Sequence, residues 1–172
     1  MRLLIPFFVL LIANPSHIHS QDINASTSSV DELVIALYEV ISGPAGERDW
    51  DKMKSLFHPN AIMGSMRRSP EGQLVYSNFT VDQYIERSGP YFLENGFFET
   101  ETGSSTDSFG ELQHRFSAYS SKRTVDGPVF ARGINSIQCV FDKGRWWIVS
   151  IQWNTERENL MIPKKLRNSK GK

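Results

Sequence analysis

The chain has 172 residues, with 19 Lys and Arg balanced by 19 Asp and Glu, and a single cysteine. One cysteine excludes an intrachain disulfide, so packing alone must hold the fold. Balanced charge without a basic stripe excludes the electrostatic footprint of a nucleic-acid binder.

The N-terminus reads MRLLIPFFVLLIANPSHIHSQD, with Arg2 ahead of an apolar run at residues 3–13. A spanning helix needs about 20 apolar residues, and Pro6 and Pro15 oppose one here. The pattern predicts a cleavable signal peptide over residues 1–20, a mature N-terminus near Gln21, and a secreted or periplasmic protein. No cysteine stands near the cut, so no stable membrane anchor is expected. Residues 21–28 are small and polar and read as a linker.

Ser29 with Glu32 gives a capping-box pattern. Val30, Leu33, Val34, Leu37, Tyr38 and Ile41 then share one helical face. The segment SGPAGE ends that helix. Asp49 caps a second, whose buried stripe is Trp50, Met53, Leu56 and Phe57. Two short strands follow, HPNAIMGSM and QLVYSNF, joined by the turn RSPEG. Thr80 and Gln83 open a third helix, expected to end or bend near Gly89 and Pro90. From Gly96 onward four strands read as a meander, with VDGP and DKG as turns. Cys139 falls inside an apolar strand and reads as a buried thiol. The last ten residues hold five cations and no anion, so residues 159–172 are expected to be a disordered basic tail.

Helices gathered ahead of an antiparallel sheet give one α+β domain over residues 29–158. Three N-terminal helices on a strongly curved antiparallel sheet make a cone with an apolar cavity, the usual place for a small ligand.

This order resembles the nuclear transport factor 2-like superfamily, also called SnoaL-like or cystatin-like. The residues that carry the likeness are RDWDKMKSLFHPNAIM, FGELQHRFSAYSSK and RGINSIQCVFDKGRWWIVSIQW, within residues 30–156. The superfamily includes ketosteroid isomerase, scytalone dehydratase, polyketide cyclases, an epoxide hydrolase and non-catalytic binding domains, so the fold implies no single reaction. Tyr38 matches the place of the isomerase tyrosine that donates a hydrogen bond to a developing oxyanion. Where that family carries its basic carboxylate, this chain has Gly64, Ser65 and Met66.

Strand alternation puts His114 in a row with Leu112, Phe116 and Ala118. A histidine among apolar neighbours stays neutral near pH 7 and can act as a general base, or it can be a structural residue. His58 follows a helix, where it can bond the last carbonyls. Asn135, Gln138 and Gln152 are polar side chains within the closing strands, and each either contacts a ligand or faces outward. No histidine, cysteine and carboxylate spacing fits a metal set, and no cofactor motif is present. The sequons at Asn24 and Asn78 matter only in a eukaryotic source.

The expectation is an exported binding domain for a small apolar or amphipathic molecule, homodimeric through the outer sheet face. The alternative is a lyase, isomerase or cyclase with His114 as base and Tyr38 as hydrogen-bond donor in one shared cavity.

Overall fold

The computed structural model describes residues 26–167. The expected signal peptide, its cut near Gln21 and residues 168–172 lie outside them. Three helices come early, α1 (Val30–Ile41), α2 (Trp50–Leu56) and α3 (Val81–Glu94). Six strands form the sheet: β1 (Phe57–Arg68), β2 (Leu74–Phe79), β3 (Phe98–Phe109), β4 (Leu112–Lys122), β5 (Val129–Asp142) and β6 (Arg145–Thr155). The spatial order is β2-β1-β6-β5-β4-β3.

The helix starts are those read from the side chains. Ser29 Oγ accepts from the Glu32 amide at 3.1 Å, and Asp49 Oδ1 from the Lys52 amide at 2.8 Å. At α3 the box is reciprocal: Thr80 Oγ1 accepts from the Gln83 amide, and Gln83 Oε1 from the Thr80 amide. All six residues of the α1 stripe are buried. They pack with Met53 and Leu56 of α2 on Ile137, Ile148 and Ile151 of the sheet.

Three expectations need correction. The sheet is mixed, because β1 lies parallel to β6 while every other neighbouring pair is antiparallel. Helix α3 does not stop at Gly89 and Pro90 but continues to Glu94 with Pro90 inside. An internal proline costs about 3 kcal/mol. Beyond it, Phe92 is buried and meets Trp50 and Phe97 at ring distances of 5.8 and 5.4 Å. Burying an aromatic of that size offsets much of the proline cost.

The third correction concerns the tail. From residue 160 to Arg167 the chain is ordered as a strap across the outer face of the sheet. Ile162 and Leu166 are buried there with Ala118, packed by Phe116 and Ile134. Glu156 accepts from the Ile162 amide at 2.9 Å, and Arg167 donates to the Ile162 carbonyl at 2.8 Å. The apolar Ile and Leu among the cations supply the anchors, so charge composition alone misjudged this segment.

Candidate functional site

The helices and the inner face of the sheet enclose a cavity of about 200 Å³. Leu37, Tyr38 and Ile41 of α1 form one wall, and Met53 of α2, Met63 of β1 and Tyr84 of α3 close another. Phe97, Glu99, Tyr119, Asn135, Ile151 and Trp153 come from the sheet side. Phe130, 45% exposed, stands at the rim. Tyr119 pairs with Gly133 of β5. A Cβ there would lie 2.5 Å from the Tyr119 hydroxyl and 2.4 Å from the Asn154 carbonyl, so only glycine lets the Tyr119 ring cross β5.

Register decides which side chains enter. Across the inner face Ser117 pairs with Asn135, and Asn135 with Trp153. On β3, Glu99 pairs with Ser121 and Glu101 with Tyr119, after which a bulge restores Ser104 opposite Ser117. The inner row of β4 is therefore Arg115, Ser117, Tyr119 and Ser121.

These polar groups satisfy one another in a directed chain. Arg115 grips Glu101 with two parallel bonds, Nε to Oε2 at 2.9 Å and a terminal nitrogen to Oε1 at 2.6 Å, and also reaches Asp31 in the first turn of α1. Ser117 donates to Glu101. A hydroxyl has one proton, so in the 2.7 Å contact between Ser117 and Tyr38 the tyrosine must be the donor. Asn135 Nδ2 in turn donates to the Tyr38 oxygen at 3.0 Å. Tyr38 thus spends its proton inside the protein. Burial first, then the negative charge of Glu99, push its pKa above the usual tyrosine range.

Glu99 differs from Glu101. Part of the residue keeps surface, but its carboxyl end is enclosed, and burial raises its pKa from 4.5 to about 7. Its hydrogen bonds come from neutral donors, Ser121 at 2.7 Å and Asn135. At Glu101 burial also raises the pKa, but the bonds and charge of Arg115 outweigh it and hold the carboxyl below its ordinary value. Burial lifts the Tyr119 hydroxyl to about 12. It also lifts the Cys139 thiol to about 12, an inert core group as the strand pattern implied.

Of the residues singled out from sequence, Tyr38 and Asn135 meet in the cavity. His114, Gln138 and Gln152 do not. His114 lies on the outer face, its Nε2 3.0 Å from Ser136 Oγ and its ring beside Phe116. It cannot serve as a base for a ligand in the cavity, and the paired roles of His114 and Tyr38 are withdrawn. Gln138 is exposed opposite His114. Gln152 accepts from the Tyr76 hydroxyl at 2.8 Å above Gly64, on the face away from the cavity. His58 is the second residue of β1 rather than a cap of α2, and its Nδ1 accepts from the Asn60 amide at 3.3 Å. Glu99 went unnoticed in the sequence. The signal was present in the alternation of GFFETETGS, where Glu99 and Glu101 share a face with Phe97. Among the described residues no group of His, Cys, Asp and Glu is arranged to hold a metal, and no helix is long and apolar enough to cross a membrane.

No protein-family model matches the chain, and neither does any curated protein. Solved structures do. An NTF2-like protein of unknown function from Pseudomonas putida aligns with a TM-score of 0.59 at 9% identity, over 78% of this chain and 89% of that one. A protein with a cystatin-like fold from Nostoc punctiforme gives 0.58 at 10% identity, over 75% and 90%. The chain has the nuclear transport factor 2-like fold. The beta subunit of a putative aromatic-ring-hydroxylating dioxygenase from Novosphingobium aromaticivorans shares this NTF2-like architecture, with a TM-score of 0.57 at 12% identity over 84% and 96%. At such identities the likeness is one of fold, and activity has to be argued from the cavity.

Proposed function

We propose that this NTF2-like domain binds a small, largely apolar molecule carrying one polar group, held in the cavity between α1 and the sheet. The observation that carries this reading is the distribution of polarity. The walls are aliphatic and aromatic, and the polar groups converge on one corner at Glu99, Asn135 and Ser121. Such a cavity fixes a ligand's position by apolar contact and its orientation by the polar corner. The test is calorimetric titration with benzyl alcohol, a one-ring probe. Saturable binding is expected in the wild type and its loss in Ala131→Trp, because Ala131 of β5 lines the cavity opposite Ser121 and an indole there would fill it. Binding that survives in a folded Ala131→Trp protein would refute the site.

A second reading, turnover by acid–base chemistry, is favoured by one observation. The Glu99 carboxyl, lifted by burial to about 7, lies where a general base works best. Here Glu99 takes the role first assigned to His114. A pH–rate profile breaking near 7 and abolished in Glu99→Gln would support it; turnover that is unchanged in that variant would reject it.

Export is proposed on the pattern of residues 1–20. Mass spectrometry of protein from its native host is expected to find a mature chain starting within a few residues of Gln21, and a chain retaining Met1 would contradict export.

A further inference from the structure

We propose that the ligand is an organic amine, bound as its ammonium ion against the Glu99 carboxylate and surrounded by the rings of Phe97, Tyr84, Tyr119 and Trp153. This rests on the cavity reading above and narrows it to a chemical class.

Three observations converge. Glu99 and Glu101 stand two residues apart on the inner face of β3, but only Glu101 has a cationic partner. Among the described residues that line the cavity, none is Lys, Arg or His. An enclosed carboxylate without a countercharge is costly, and a ligand that brings the cation removes that cost. Secondly, six aromatic side chains line the cavity with Glu99, the four rings named above together with Tyr38 and Phe130. The negative faces of such rings attract a cation and repel an anion. Thirdly, the corner offers acceptors more readily than donors. The Tyr38 proton is committed to Ser117, and Ser121 donates to Glu99. A carbonyl or oxyanion would find few free donors there, whereas an ammonium brings its own.

Glu99 is also the group that would make binding depend on pH. The titratable groups facing it are Tyr38 from α1, Tyr84 from α3 and Tyr119 from β4, all shifted above the ordinary tyrosine range by burial. Glu101, its neighbour on β3, is held ionised by Arg115. Between about pH 5 and 8 only Glu99 changes charge among them, and its raised pKa places that change near neutrality. Amine affinity therefore rises with pH across this window.

The test compares benzylamine with benzyl alcohol, matched in size, by calorimetry on the wild type and on Glu99→Gln. At about pH 8, benzylamine is expected to bind the wild type at least about tenfold more tightly than benzyl alcohol, and to weaken by at least about tenfold in Glu99→Gln, so that its preference over benzyl alcohol is lost there. In the wild type, benzylamine is expected to weaken as the pH falls from about 8 to about 5.5, a readout that does not depend on the variant folding. Benzyl alcohol binding as tightly as benzylamine at about pH 8, or benzylamine affinity flat with pH, would overturn the amine assignment and leave the cavity standing. Binding of neither probe would overturn both.

Discussion

Two carboxyls on β3 respond oppositely to the same burial, and the difference is one guanidinium. Glu101 is paid back by Arg115, while Glu99 is not, so protons compete for it near neutral pH. The folded pKa of Glu99 is raised above its unfolded value. Its contribution to stability is therefore full below about 4.5 and is lost as the pH rises through about 7. Relative to Glu99→Gln, the wild type is expected to lose on the order of 3 kcal/mol across that window, measured by denaturant unfolding at several pH values. A difference that does not vary with pH would contradict the assignment. Tyr38→Phe removes the acceptor of Asn135 and is expected to cost about 1–3 kcal/mol of stability. Ligand affinity should hardly change, because the lost proton served Ser117. His114→Ala should leave binding intact, and a tenfold loss of affinity in that variant would bring the histidine back. Tyr38 was legible as an inward-facing residue, whereas the strand pattern left Asn135 open to either face of β5. His114 was misread because apolarity was equated with the cavity side. On β4 the apolar row of Phe116 and Ala118 lies under the C-terminal strap, and the polar row of Arg115, Ser117 and Ser121 faces inward, where Glu101 and Glu99 of β3 accept its hydrogen bonds.

Among the elements, the helix starts were readable because each is written in adjacent residues, a hydroxyl or carboxylate followed by a free amide. The β5–β6 turn was readable too. Lys143 and Gly144 both take positive φ, 52° and 80°, as a tight hairpin with the twist of its strands requires. Helix α3 was misjudged because a local breaker competed with a distant contact. Gly89 and Pro90 speak for an end, while Phe92 speaks for continuation only once Trp50 and Phe97 are in place. Phe92→Ala is therefore expected to cost about 3–5 kcal/mol and to release the last turn of α3, seen as a loss of helical circular dichroism. A change below 1 kcal/mol would mean that Phe92 does not hold the turn past Pro90. The β3 bulge after Glu101 was not legible, since a one-residue slip leaves no mark in composition, yet it sets Ser104 opposite Ser117.

At the scale of the whole molecule, strand and helix order conveyed the α+β cone, but not that β1 runs parallel to β6. That pairing joins strands far apart in sequence and has no local signature. The strap adds an outer layer the charge pattern concealed. Leu166→Ala is expected to destabilise the domain by about 2–5 kcal/mol, where a disordered tail would show no effect in thermal unfolding. The strap leaves Leu112 and Gln138 exposed on the outer face. We propose that this uncovered part joins two copies, so light scattering at micromolar concentration should give a dimer mass and Leu112→Glu a monomer; a wild-type monomer would rule this interface out. The central claim is that the inner cavity, and not the outer face, receives a small molecule. Methyl NMR during titration with benzylamine tests it most directly, using Leu37, Ile41 and Ile151 as reporters of the cavity and Ile134 and Ile162 as reporters of the outer face. Saturable shifts confined to the first three are expected, and shifts confined to Ile134 and Ile162, or none at all, would contradict the account.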